Sequence, residues 1–167
     1  MSTSNLTKTS PRDLWRLIVA LALPLLVGGL GGWVTAGPVQ TWYPTMIKPS
    51  WNPPPWLFAP VWTALYFLMG WAAWRIWRLG LDQPAVRRAL AFFGLQLAFN
   101  LGWSLLFFGL QRTDLALLEI GVLLALIIVT FVRFRALDRL AGWLLVPYLL
   151  WTMFATALNA AVWGLNR

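Results

Sequence analysis

"ALAFFGLQLAFNLGWSLLFFGL", residues 89–110, runs for twenty-two residues without a charge. A helix crosses the hydrocarbon core of a bilayer in about 20 residues, so this stretch is long enough to span one. Its polar residues are not scattered. Gln96, Asn100 and Ser104 recur every four residues and share one helix face, while Gly94, Ala98 and Gly102 keep the same spacing two residues out of phase, on roughly the opposite face. Lipid cannot satisfy the hydrogen bonds of an amide, so the polar stripe must face protein or a cavity. Small side chains at every fourth position let two helix backbones approach closely. One face is read as interior, and the Gly94, Ala98 and Gly102 strip as a helix-partner surface, the expected interface of a homodimer.

Outward from this stretch the pattern repeats. Apolar runs at 14–36, 57–79, 115–132 and 141–164 are also long enough to cross. The first is too long for the apolar part of a signal peptide and lacks a clear cleavage site, so it is read as a span. Barrel strands would be about ten residues long and alternating. The fold class expected is therefore all-α and integral to the membrane, a single domain built as a five-transmembrane-helix bundle. Composition agrees: of 167 residues 60% are hydrophobic and 11% charged, with a mean hydropathy of +0.69, against roughly 25% charged residues in soluble domains.

The formal charge of +8 would suggest nucleic acid in a soluble protein. Here the basic residues sit at span ends and no basic patch on a soluble fold accompanies them, so no nucleic-acid partner is expected. Ten of them, Lys8, Arg12, Arg16, Arg75, Arg78, Arg87, Arg88, Arg133, Arg135 and Arg139, fall on one side; Lys48, Arg112 and Arg167 fall on the other. The bias places the N-terminus inside and the C-terminus outside. Asp114 is expected to cap the fourth helix.

No cysteine or histidine occurs. Disulfides, thiolate metal sites and the usual general base and haem ligand are thereby excluded, and no catalytic set, phosphate loop or metal cluster is present. No catalytic residue, metal site or obligatory cofactor is assigned. Of thirteen tryptophans, Trp15, Trp33, Trp71, Trp74, Trp77, Trp143 and Trp163 lie near span ends, as interfacial belts do. Trp62, Trp103 and Trp151 lie deeper. With Tyr66, one turn beyond Trp62, and with Thr152, Thr156 and Asn159 of the fifth span, they converge on one end of the bundle. An apolar, aromatic-walled pocket with a few amides and hydroxyls suits a flat hydrophobic ligand. The same groups would equally serve to bond helix to helix.

Over that end lies "KPSWNPPPW", residues 48–56. Consecutive prolines cannot be helical and favour an extended strap. Residues 37–56 are read as a lid loop, with Pro49, Pro53 and Pro54 as its stiff parts and Trp42 and Trp51 as its aromatic faces. A preorganised lid loses little entropy when ligand orders it. Pro24 and Pro147, inside spans, predict kinks. The glycines of residues 28–32 read as close packing or a flexible stretch. Glu119 reads as a helix-start carboxylate or a proton relay. Arg88, Phe92 and Leu95 fit a reversed sterol-contact pattern.

The segments "WYPTMIKPSWNPPPWLFAPVWTALYFLMG", "QLAFNLGWSLLFFG" and "VPYLLWTMFATALNAAVWGLN" resemble the tryptophan-rich sensory protein/translocator protein family, in order and over essentially the whole chain. The resemblance implies a five-helix bundle, usually dimeric, whose pocket is closed by the first loop. It implies porphyrins and haem as ligands and, for mitochondrial members, sterol and benzodiazepine-type molecules. Matched by motif, the pocket residues would be Trp42, Trp51, Trp62, Tyr66, Asn100, Trp103, Phe107, Trp151, Ala155 and Leu158. After the Leu-Asn of the fifth span stand Ala160 and Ala161, with the next basic residue only at Arg167. This departs from the eukaryotic sterol motif and favours a bacterial porphyrin binder with a regulatory or sensory role in porphyrin traffic or oxidative stress. Light-dependent porphyrin breakdown and transport are the alternative roles that the resemblance leaves open.

Overall fold

The computed structural model describes residues 11–167, with side chains from residue 13; Lys8 and the side chain of Arg12 lie outside the described residues. Among these residues six α-helices form: α1 (Pro11–Thr41), α2 (Phe58–Trp77), α3 (Pro84–Ser104), α4 (Thr113–Leu137), α5 (Arg139–Trp143) and α6 (Val146–Leu165). Five segments are long and apolar enough to cross a membrane, Asp13–Thr41, Pro55–Trp77, Pro84–Gly109, Thr113–Leu137 and Arg139–Leu165. The all-α, five-span reading holds.

Proline chemistry accounts for where the helix ends depart from expectation. Helix α1 passes through Pro24 and Pro38 and reaches Thr41, so residues 37–41 belong to the first helix and not to the loop. A proline removes one ladder bond, and within a packed membrane helix that loss is tolerated. The Trp42 N–H still donates to the Pro38 carbonyl at 2.9 Å. At Pro147 the fifth span stays one segment but its helix is interrupted: α5 ends at Trp143, and Pro147 sits in the first turn of α6, where its missing N–H costs nothing. Pro55 likewise opens a 3-10 turn, Pro55–Leu57, that leads into α2, and Pro54 before it is extended.

α1 packs chiefly on α2, and α3 and α6 on α4. Gly70 makes the first of these contacts possible, because a Cβ there would meet the Ala20 carbonyl at 2.7 Å and the Leu21 Cα at 2.8 Å. The core beneath holds Met69 and Ile76 of α2, Val86 and Phe93 of α3, Ile120, Ile127 and Phe134 of α4, and Tyr148 of α6, all buried. The basic end is tied by ion pairs. Arg75 meets Asp138 at 2.7 Å and Arg78 meets Asp13 at 3.1 Å, while Asp138 also accepts from the Ala141 N–H at 2.9 Å and caps α5. Burial pushes the Asp138 carboxyl up, but hydrogen bonds from Arg75 and the α5 backbone, with the Arg75 charge, outweigh it and hold the group below its ordinary range.

At the opposite end Asp114 does not cap α4. Arg112 occupies the cap position, and Asp114, one residue inside the helix, accepts from its guanidinium at 2.9 and 2.6 Å. The bidentate partner is a stronger claim on the carboxylate than a backbone N–H, and the acid remains beside the positive end of the helix dipole.

Candidate ligand-binding pocket

At the end of the bundle opposite the ion pairs the helices part around a cavity of about 590 Å³. α2 contributes Phe58, Trp62 and Tyr66; α3 contributes Trp103 and Ser104; α6 contributes Trp151, Phe154, Ala155, Leu158 and Asn159. Seven of the ten residues matched by motif line it: Trp62, Tyr66, Trp103, Phe107, Trp151, Ala155 and Leu158. The other three stand one layer back. Trp42 lies edge-on to Phe107 and Phe108, with centroids 5.7 and 6.4 Å away. Trp51, 48% exposed, lies edge-on to Phe154 at 5.8 Å. Asn100 is buried beneath Tyr66, whose hydroxyl donates to its Oδ1 at 2.6 Å.

Two walls were not legible as such. The first belongs to α1, which contributes Gly28, Gly29, Gly31, Gly32, Thr35, Ala36 and their neighbours. The glycines are not equivalent. A Cβ on Gly28 would overlap the Tyr66 ring, and one on Gly31 would lie 3.3 Å from the Ser104 Oγ, whereas Gly29 and Gly32 face open space. The first pair lets α1 close on Tyr66 and Ser104, and the second leaves room. The other wall is a π turn, Leu105–Gly109, at the end of α3. Its extra residue, marked by the Leu110 N–H bonding to the Leu105 carbonyl at 2.8 Å, turns both Phe107 and Phe108 onto the cavity. Phe107 stacks on Trp103 at 5.0 Å and meets Phe108 at 4.8 Å.

The polar stripe of α3 faces inward: Gln96 is buried with its Oε1 unbonded, Ser104 lines the cavity, and Asn100 is bonded on both sides of its amide. Asn100 accepts from Tyr66 and donates to the Tyr148 hydroxyl at 3.2 Å. Asn159 accepts from the Trp103 indole at 3.0 Å and donates to the Thr113 carbonyl at 2.9 Å. Thr152 and Thr156 bond back to carbonyls of their own helix. Of the lining residues, Tyr66, Trp103 and Asn159 thus spend their polar groups on the protein itself, and the cavity offers mainly shape and aromatic surface. Trp62 stacks on Tyr66 at 5.4 Å against it. The exposed lining residues, among them Gly29, Gly32, Ala36, Ala59 and Thr63, lie on α1 and the first turns of α2. The mouth of the cavity therefore opens along the α1–α2 seam.

The strap above is pinned at named points. Ile47 is held like a strand partner: its N–H donates to the Asn166 Oδ1 at 2.9 Å, and the Asn166 amide donates to its carbonyl at 2.9 Å and to that of Val162 at 2.7 Å. Lys48 donates to the Tyr43 and Met46 carbonyls at 2.8 and 2.9 Å. The Tyr43 hydroxyl donates to the Asn52 Oδ1 at 2.8 Å, and burial pushes that phenol up to about 12. Tyr43 and Pro55 face the cavity; Pro49, Pro53 and Pro54 do not line it. On the far side of α3, Gly94 and Ala98 are exposed, with nothing near a Cβ at Gly94. Gly102 turns toward α4, where a Cβ would lie 3.3 Å from Glu119, whose two carboxylate oxygens are enclosed without a hydrogen-bond partner.

A bundle of five spans with an aromatic cavity under a proline strap has relatives. The sequence profile of the TspO/MBR family matches residues 20–164. The chain belongs to the TspO/MBR family. It is 40% identical over 155 residues to the tryptophan-rich protein TspO of Chlorobaculum tepidum, covering 93% of this chain and 98% of that one. It is 45% identical over 125 residues to the tryptophan-rich sensory protein of Cereibacter sphaeroides, covering 75% and 77%. Against the translocator protein of Sus scrofa it is 38% identical over 148 residues, covering 85% and 87%. The matched residues of this TspO/MBR chain run from α1 to the last turn of α6, so every wall of the cavity lies within them: Leu25 and Asn159, its outermost lining positions in sequence, both fall inside.

Proposed function

We propose that this TspO/MBR protein is a membrane receptor for tetrapyrroles, binding porphyrin or haem between α1, α2, α3 and α6 beneath the strap, with a regulatory or sensory role in porphyrin traffic or oxidative stress. The observation that carries the reading is the aromatic cavity of about 590 Å³ with most of its polar groups already bonded. A volume of about 300–1,000 Å³ with an apolar lining is that of a site for a ligand of drug size, and a flat macrocycle gains most from stacking. No histidine or cysteine stands ready for an iron, so metal-free porphyrin and haem should bind within about tenfold of each other. The mouth along α1 and α2 would admit such a ligand from the bilayer. In this reading the protein sits in a bacterial cell membrane, N-terminus inside, as a homodimer.

Titration of the detergent-solubilised protein with protoporphyrin, followed by tryptophan quenching, tests it. Trp62→Ala and Trp151→Ala should each weaken binding by about 1–3 kcal/mol through lost stacking and buried area. Trp74→Ala, at the ion-paired end where the indole donates to the Asp13 carbonyl at 3.3 Å, should leave affinity unchanged. Unsaturable binding, or equal losses at all three positions, would remove the proposal. Light-dependent breakdown of the bound porphyrin is the second reading, favoured by the oxidisable Trp62–Tyr66 stack against the cavity. Mass spectrometry of the pigment after illumination separates it from binding alone.

A further inference from the structure

Arg133 lies in α4 four residues before that helix ends at Leu137, inside the segment Thr113–Leu137. Its guanidinium carbon is 4.5 Å from the centre of the Phe92 ring on α3. Its Nε is enclosed by protein and has no hydrogen-bond partner, and no ion pair reaches it among the described residues. A cation inside a span is costly, and an aromatic face offsets only part of that cost. The missing partner is an anion.

A second cation lies one helical turn from the residue that carries this ring. Arg88 precedes Phe92 by one helical turn on α3, which puts the two side chains on one face, and Arg88 is exposed. Nearby carboxylates do not neutralise the pair: Asp138 is held by Arg75 and Asp13 by Arg78, while Asp82 folds back on Gly80. Below Phe92, at the next helical position on this flank, Leu95 is 45% exposed. Two unneutralised guanidinium groups thus stand above an apolar flank, an arrangement complementary to a phosphate carrying acyl chains.

We propose that Arg88 and Arg133 bind the headgroup phosphate of an anionic phospholipid at the basic end of the α3–α4 seam, with its chains running down past Phe92 and Leu95. A guanidinium fork suits phosphate oxygens in two directions at once. The depth argues for lipid over a soluble anion, because Arg133 is a full turn inside the spanning segment, where acyl chains would surround it. This site is at the opposite end of the bundle from the strap and stands whether or not the cavity takes a porphyrin.

Native mass spectrometry of the detergent-solubilised full chain, titrated with phosphatidylglycerol or with phosphatidylcholine of the same chains, tests the assignment. The wild type should retain phosphatidylglycerol preferentially. Arg88→Gln and Arg133→Gln should each lower its retention about fivefold, the effect of one basic residue near an anionic headgroup. Arg133→Lys, which keeps the charge and loses the fork, should fall between, and Arg112→Gln at the other end should match the wild type. If Arg133→Gln loses helicity, Arg88→Gln, at an exposed position near the start of α3, decides alone. Equal retention of the two lipids, unchanged retention in Arg88→Gln, or displacement of the lipid by inorganic phosphate would each overturn the proposal.

Discussion

Gly28 and Gly29 are adjacent, alike in sequence context, and opposite in consequence. A Cβ at Gly28 meets the Tyr66 ring, which is held in place by its hydrogen bond to Asn100, whereas a Cβ at Gly29 meets nothing. Alanine favours a helix over glycine by about 1 kcal/mol, while overpacking a fixed ring costs about 1–3 kcal/mol. Gly28→Ala should therefore lower both the melting temperature in detergent and porphyrin affinity, and Gly29→Ala should hold or raise the first and spare the second. Identical behaviour of the two variants would show that the α1 wall gives way freely. The residue scale also marks what could be read in advance. The inward stripe of Gln96 and Asn100 followed from spacing, because a polar group in a span has few places to go. That Asn100 lies behind Tyr66 instead of touching the cavity did not, since both positions are equally inward.

The strap behaves as one element because its anchors are few. Prolines make residues 53–55 stiff, but stiffness alone does not hold them over the bundle; the Asn166 amide does, through two bonds to the Ile47 backbone. A hydrogen bond contributes about 1 kcal/mol net, so Asn166→Ala should speed porphyrin release several-fold where release requires the strap to lift. Its helicity should stay intact, since Asn166 follows the last turn of α6. Stopped-flow displacement measures this, and an unchanged release rate would mean that ligand leaves by the α1–α2 mouth without moving the strap. The extended strap itself was legible from its composition. Its anchor lies 119 residues away in the chain, beyond the reach of any local pattern.

For the whole molecule, charge and packing give two expectations. Asp138 joins α2, the α4 end and α5 through Arg75 and its cap, and its carboxyl is held low. A depressed carboxyl contributes stability above the unfolded carboxylate range near about 4. That contribution is lost as pH falls through the folded value. Melting temperature should therefore drop on acidification more in the wild type than in Asp138→Asn, which keeps a capping side chain but no charge; parallel curves would exclude the ion pair as a stabiliser. Gly94 and Ala98 present the open part of the α3 strip, while Gly102 is turned to Glu119. Close backbone packing must drive association in lipid, so Ala98→Leu should shift the solubilised protein toward monomer with its helicity and porphyrin affinity kept. A fall in thermal stability with no change in size would place the interface elsewhere.

Hydropathy and helical period belong to single segments, and the properties they govern were readable from the chain alone: five spans, an inward polar stripe on α3, a basic end and a stiff strap. Where α1 closes on Tyr66 and where it parts from α2 depends on which glycine meets which ring. The turn that brings Phe107 and Phe108 together depends on one extra residue absorbed at a helix end. The Asn166 anchor and the unpaired Arg133 over Phe92 join distant elements. Apart from that local turn, each of these arises from relative placement of helices; a per-residue pattern contains neither, and so only the tertiary structure decided them.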